Sequence, residues 1–583
     1  MASSLHAAAT NYYVGSNGND GVAQPTALQP WKSVAKVNAL QLGPGDSVLF
    51  RGDDSLSGSI SLTSEDAGSA TSPVVISSYG NGRAVIVSGA SDGLNANGCR
   101  YIKVSRLAFV GASRLTGAKA GCMYNGVRDS YIDSVYARGY NWSGIDLKSS
   151  VNVRLTNSYV TDNGTVGILL EGSTDNCYVG YCKAINNPGY PTSPGHSGNG
   201  ILMYHSPKNC VIEYCESAEN GWDMGNPNGG FGPGGIWTES ADNILIQFCI
   251  SHNNKTTKNH SDGVGFDFDA RTTNCTMQYC YSYQNDGSGY FYCENTAGPS
   301  TNNVVRYCIS EDDGSMSGSF HGGLLVNGGN QSGGRFYNNI LYTTALMAGA
   351  DRSGNPRRSS CVWLGDQSDQ QLLLYNNIFI LKGSGPIVSN MHGTAFRNNL
   401  FWCVGGGTPT WTGYNAQGAY TTYRSLEEWA NGTGNEKING QFVGVYADPL
   451  LANAGSGEKL TDPTKLPQLF AYLIKPGSPC IDKGVDLQAL GINPGTRDFY
   501  GRAIPYGTRL DIGACEYDGN PVAVANRFLA LCSGVDIDGG AMRSCLTVRT
   551  AVRRISGMRQ FDCAGKLQGP FVPAGILVQE NTH

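Results

Sequence analysis

Seven pentapeptides between residues 144 and 327 open on glycine and then alternate apolar with variable positions. They read Gly144-Ile-Asp-Leu-Lys148, Gly167-Ile-Leu-Leu-Glu171, Gly200-Ile-Leu-Met-Tyr204, Gly235-Ile-Trp-Thr-Glu239, Gly265-Phe-Asp-Phe-Asp269, Gly289-Tyr-Phe-Tyr-Cys293 and Gly323-Leu-Leu-Val-Asn327. Successive side chains of a strand face opposite sides, so each peptide reads as a short strand with an apolar inner face. A second short strand follows each one, and the region lacks helical periodicity. A recurring unit of this length predicts the coils of a parallel β-solenoid. Such a fold sets equivalent residues of successive coils about 4.8 Å apart, so register makes neighbours of residues distant in sequence.

The second strands give an independent register. They run Asn176 to Cys182, Asn209 to Cys215, Asn243 to Cys249, Asn274 to Cys280 and Asn303 to Cys308. The same slot is expected to begin at Asn157 and continue through Asn339, Asn377 and Asn399. An asparagine there can hydrogen-bond to its equivalents above and below, and a cysteine fills the slot as a small apolar group. On these motifs the chain resembles the right-handed parallel β-helix carbohydrate-active enzymes, the pectate-lyase-like β-helix repeat proteins. The resemblance covers most of residues 11–517. It implies an all-β, right-handed parallel β-helix with an N-terminal cap helix and an irregular C-terminal segment. It is specific for the fold and weak for the reaction.

Composition agrees. Among 583 residues, 79 are glycine and only 15% are charged, against a usual share of about 25%. The formal net charge of -5 offers no basic field for nucleic acid, and no apolar run is long enough for a membrane helix. The 18 cysteines would suggest disulfides in an extracellular protein, and Cys177 to Cys210 is a candidate bond. At least five of them fall in one stacked column, where they read first as packing.

Residues 11–403 are read as the β-helix with its cap, 404–517 as a closing segment and 518–583 as a tail of unknown structure. Residues 30–40 have helical spacing, suited to covering the open edge of the first coil. Residues 423–429 read as a short helix. No native leader is visible in residues 1–10, so a secreted or periplasmic location is expected from fold and substrate class alone. Two long loops, 187–199 and 220–234, precede first strands and rim the same face; loops of such length in a compact array are usually functional.

On that face the second residue after each leading glycine forms one outward column: Asp146, Leu169, Leu202, Trp237, Asp267, Phe291 and Leu325. The fourth forms another: Lys148, Glu171, Tyr204, Glu239, Asp269, Cys293 and Asn327. Glu239 and Asp269 then sit on adjacent coils about 5 Å apart, and Asp267 and Asp269 two residues apart on one strand. Asp262 hangs over the same spot, and Asp286 holds the matching turn one coil later. Carboxylates this close cannot all stay ionised, so one becomes an acid beside a base. Paired carboxylates are what glycoside hydrolysis needs. Asp267, Asp269 and Glu239 are the candidate catalytic residues. Trp237, Tyr204, Asp262, His196, His260, His321 and Asp286 are the candidate substrate-binding residues.

The expected function is a polysaccharide-degrading glycoside hydrolase, a monomer acting on a polysaccharide or oligosaccharide without a cofactor. The first alternative is a calcium-dependent lyase of uronate-containing glycans, with Ca²⁺ on Asp262, Asp267 and Asp269. In the lyases of this resemblance a lysine base projects from a strand after an Asp-Gly turn. Asp262-Gly263 matches that turn, but Asp267 occupies the lysine position, and Arg271 and Lys258 are off register. The second alternative is a glycan-binding solenoid without catalysis, which has no need of paired acids.

Overall fold

The computed structural model describes residues 9–519, except 118, 194, 226–231, 259, 295–297, 299, 318–320, 329–330, 366–370, 390–394 and 416. All but the first two residues of the expected tail 518–583 therefore lie outside the described residues. Three parallel sheets of 14 strands each run the length of the solenoid, and each regular coil contributes one strand to each. The fold is a right-handed parallel β-helix.

The first-strand sheet carries the glycine-led pentapeptides in the expected register. Ile236 pairs with Phe266, Phe266 with Tyr290 and Tyr290 with Leu324. These inner residues, with Ile246 and Met277 of the second sheet, are fully buried. The leading glycine is dictated by the narrow corner between the first and third sheets. A Cβ on Gly265 would lie 2.3 Å from Ser282 Oγ, and one on Gly235 would lie 2.1 Å from Ser251 Oγ. Those serines form a column of their own, Ser217, Ser251, Ser282 and Ser310. The Ser217 and Ser251 hydroxyls donate to Gly235 O and Gly265 O at 2.8 and 2.7 Å, so the third strand grips the first at these two coils.

The asparagine slot divides into separate columns. Cys182, Cys215, Cys249, Cys280 and Cys308 stack as buried thiols, and Asn339, Asn377 and Asn399 continue that cysteine column. Asn176, Asn209, Asn243 and Asn274 instead form an exposed line at left-handed turn positions. Asn157 belongs to another left-handed turn, between the second and third strands. The sequence reading merged these columns because the motif carries asparagine or cysteine at both ends of a short strand. A further column escaped it. Asn163, Asn187, Asn220, Asn254 and Asn285 lie buried after the third strands, each side-chain amide donating to the next coil, with Asn285 donating to Asp313 Oδ1 at 2.9 Å. The described cysteines are free thiols, Cys177 and Cys210 included.

The N-terminal cap contains less helix than expected. A single turn, Val34–Val37, buries both valines, while Trp31 bridges to Val14. Two β-branched residues in so short a segment give little return for the cost of nucleating a helix. Near the other end the helix Leu426–Thr433 starts at Ser425, whose hydroxyl accepts the Glu428 N–H. Its Trp429 is fully buried against Phe396 at 5.2 Å. Residues 449–515 then run back along the outside of the third sheet rather than over the end. They bury Ile250, Tyr281, Ile309, Ile340 and Ile378 in a second core. Glu311 anchors this cover by accepting from Tyr472 Oη at 2.5 Å and Lys459 Nζ at 2.6 Å.

Gly265→Ala is expected to destabilise the fold by about 1–3 kcal/mol by overpacking the corner. Ser282→Gly in the same chain should recover part of that loss. Denaturant unfolding of the single and double variants measures both.

Candidate active site

The strand Val264–Phe268 sits beside Gly234–Glu239 on one side and Tyr290–Glu294 on the other. Asp267 projects outward between Trp237 and Phe291, as the register requires. Asp269 follows directly after the strand, its backbone N–H on Thr238 O at 2.8 Å. Asp262 lies in the turn feeding the strand, at a φ of 66°, with Gly263 after it at 76°. Left-handed residues in succession turn the chain sharply and aim the Asp262 carboxylate at the loop of the preceding coil. There Oδ2 accepts the Gly232 N–H at 2.8 Å.

Asp262, Asp267 and Asp269 line one cavity of about 160 Å³ with His196, Trp237, Phe291, Cys293 and Asn327. Asp267 is 6% exposed, and its Oδ1 is buried without a hydrogen-bond partner. Burial, reinforced by Asp269, Asp262 and Glu239, pushes its carboxyl well above the ordinary value. Burial also raises Asp269, opposed by the Ala270 N–H at 2.6 Å, by His196 and by the Cys293 thiol. Asp262 is raised by burial and held back by Gly232 N–H and His196. His196 Nδ1–H donates to Gly232 O at 3.0 Å, which sets the imidazole beside both carboxylates and against the Trp237 ring. The site thus joins acids of unequal burial on one cavity, which suits proton transfer.

Other expected residues fall elsewhere. Glu239 forms an ion pair with Arg271 and does not line this cavity, although burial and Asp269 raise its carboxyl. Tyr204 stacks on His205 and lines a neighbouring cavity of about 220 Å³ with Trp142, Tyr190, His196 and Trp237. Trp237 is not the open platform that an outward column suggested. It is buried, with Nε1–H on Asn199 Oδ1 at 3.1 Å, the His196 ring against it at 5.3 Å and Gly234 packed on the indole edge. Asp286 pairs with Arg352 at 2.7 Å and takes the Thr256 N–H, so it ties loops together. His321 is buried, accepts from Ser288, and is pushed down to about 4; it meets the edge of Phe291 and lines a third cavity. His260 lines none of the three cavities, and burial lowers it. Lys148 is engaged by Glu171 at 2.6 Å. Among the described residues no group of three or more His, Cys, Asp or Glu side chains is spaced to hold a metal ion. No helix among them is long and apolar enough to cross a membrane.

Cys293 and Asn199 went unassigned in the sequence. Cys293 stood in the second column, one coil past Asp269, and its partner was therefore legible. Asn199 precedes its strand with no recurring signal.

No family model matches the chain. It is similar to the lacto-N-biosidase of Bifidobacterium longum subsp. longum, at 25% identity over 651 aligned positions. The match covers 91% of this chain and 38% of that protein, so the chain spans well under half of its relative. Among solved structures it is similar to the GH136 lacto-N-biosidase of Eubacterium ramulus, with 17% identity and a TM-score of 0.46 over 62% of this chain and 68% of that one. It is also similar to the pectate lyase Pel9A, with 15% identity and a TM-score of 0.40 over 87% of this chain and 96% of that one.

A carboxyl raised in the folded state holds its proton more tightly there than in the unfolded chain. Its contribution to stability is fullest below the unfolded value, 3.8, and is lost as the pH rises through the folded value. Asp267→Asn removes that loss. The variant should melt above the wild type at neutral pH, with the gap closing in acid. Thermal unfolding across pH measures this, and a gap that widens in acid would refute the assignment.

Proposed function

We propose that this chain is a glycoside hydrolase that cleaves a polysaccharide or oligosaccharide with carboxyl groups of the strand Val264–Phe268 and its flanks. One observation carries the reading: Asp262, Asp267 and Asp269 converge on one cavity walled by Trp237 and Phe291. The two covered rings keep water from the acids, and converging carboxyls supply an acid and a base. The similarity to a lacto-N-biosidase supports the same reaction class.

Roles follow from burial. Asp267 is the most deeply sunk of the three and lacks a partner for one oxygen, so its surroundings favour the neutral carboxyl, and it separates its neighbours. Asp269 receives the Ala270 N–H and the Cys293 thiol, donors that favour its ionised form, and acts as nucleophile or base. Asp262 meets the cavity from the turn above and delivers the proton to the leaving oxygen. His196, fixed by Gly232 O at 3.0 Å, stands beside both and borders the cavity. Glu239, held by Arg271, orients the edge of the site without touching the bond that breaks. A substrate of this class fits a protein that works in secreted or periplasmic form, and that location is part of the proposal.

Asp262→Asn and Asp269→Asn should each lower kcat by at least ~10², while Glu239→Gln should cost clearly less. Products from a glycan panel decide the reaction. New reducing ends without an unsaturated uronate chromophore are expected, with activity retained in EDTA and a pH profile that is a bell on the acid side of neutrality. An unsaturated product, lost in EDTA and restored by calcium, would overturn the hydrolase in favour of a lyase.

A further inference from the structure

The largest of the three cavities, about 650 Å³, lies on the same face beyond the acids. Its floor is Trp363, which continues the outward column: Asp267 pairs with Phe291, Phe291 with Leu325 and Leu325 with Trp363. Three coil rises therefore separate Trp363 from Asp267, roughly 14 Å along the axis. The wall is an antiparallel hairpin, Leu346–Ala350 with Pro356–Arg358, inserted between two coil strands. This hairpin is fastened. Arg352 pairs with Asp286 at 2.7 Å, and Arg357 donates to Ser315 Oγ at 2.9 Å. The Asp286 expected to bind substrate thus serves a wall of the neighbouring cavity.

We infer that this cavity is a second glycan subsite, which receives a neutral sugar unit about three residues along the chain from the bond that is cut. This rests on the hydrolase reading of the acid cavity. The lining has the chemistry a sugar needs. Trp363 offers an indole for a pyranose face. Arg358 offers a planar fork of donors and Asp351 an acceptor on the same cavity, a donor and an acceptor that together suit neighbouring hydroxyls. Asp351 is held in place by the N–H groups of Ser353 and Asn355 at 2.8 and 2.9 Å. The Ser384 hydroxyl, which accepts the Thr408 N–H at 2.9 Å, adds a donor on the same cavity. One positive and one negative group leave no net charge, so a neutral unit fits better than an acidic one. A pyranose is about as long as a coil rise, so a chain lying along the axis places successive sugars over successive coils. The His321 imidazole, neutral under its depressed value of about 4, bridges the two cavities by contact with Phe291.

The test compares reducing-end-labelled neutral oligosaccharides of two to six sugars. Wild-type KM should fall by at least ~10-fold once the chain is long enough to reach Trp363. In Trp363→Ala and, separately, in Arg358→Ala, that advantage of long over short substrates should vanish. Calorimetric titration of Asp269→Asn with the six-sugar oligosaccharide, with and without Trp363→Ala, reads binding without turnover. Hydrolysis with equal KM at every length, unmoved by either variant, sinks the subsite and spares the hydrolase. Binding of the hexasaccharide that depends on Trp363, with no wild-type hydrolysis of any length, sinks the hydrolase and spares the subsite. A wild type that neither cuts nor binds any of these chains overturns both.

Discussion

Everything in this molecule depends on one spacing, the distance between hydrogen-bonded parallel strands. Because the three sheets share it, every side chain stacks on its equivalent, and interactions propagate as columns. The buried asparagines use this directly. Each amide from Asn163 to Asn285 donates to the oxygen on the next coil and accepts from the one before. A directed chain of donors must end on a group that accepts without needing to donate onward. Asp313 does so for this column, and Glu436 does so for the one that runs through Asn339, Asn377 and Asn399. Both acids are buried, and burial raises them to about 6 and about 7. Aligned amide dipoles strengthen one another, so the carboxylate receives more than a single hydrogen bond's worth of field.

The same stacking builds the acid site. A flat outward face would leave Asp267 solvated and ordinary. Its unusual state comes from neighbours one coil away, Trp237 before and Phe291 after, and from the loop residues 232–234. Apolar walls remove water, and the missing water raises the carboxyl. Regular strands thus supply position and two of the apolar walls, and the irregular segments close the rest.

Position was accordingly the part legible in sequence. Glycine-led pentapeptides gave the register of the first sheet, and with it the adjacency of Trp237, Asp267 and Phe291. That glycine is readable because the corner beside it is crowded at each of the seven coils, by the serine column of the third strand at Gly200, Gly235, Gly265 and Gly289 and by Val160, Ala184 and Leu341 at the others. What could not be read was burial. Nothing in the pentapeptides says that Trp237 is covered, that Glu239 turns to Arg271, or that Asp286 turns to Arg352. These outcomes depend on loops whose lengths are irregular and whose partners have no periodicity. The path of the C-terminal segment was illegible for the same reason: its contacts with Glu311 and Arg306 join residues more than 140 positions apart, with no repeat to align them.

Asp146 shows how little a buried carboxyl means by itself. It stands in the same outward column as Asp267, is fully buried, and likewise has an oxygen without a partner. Burial and Glu171 raise it well above the ordinary value. Yet it lines none of the three cavities, and Trp142 Nε1–H closes over its other oxygen at 3.1 Å. Its nearest charged companions, Lys148 and Glu171, are occupied with each other. Asp267 differs in having two further carboxyls, Asp262 and Asp269, on the same open space, with an imidazole beside them. A perturbed acid becomes chemistry only where a second acid and a substrate can reach it, and on this face the coils that meet at Val264–Phe268 bring those acids together.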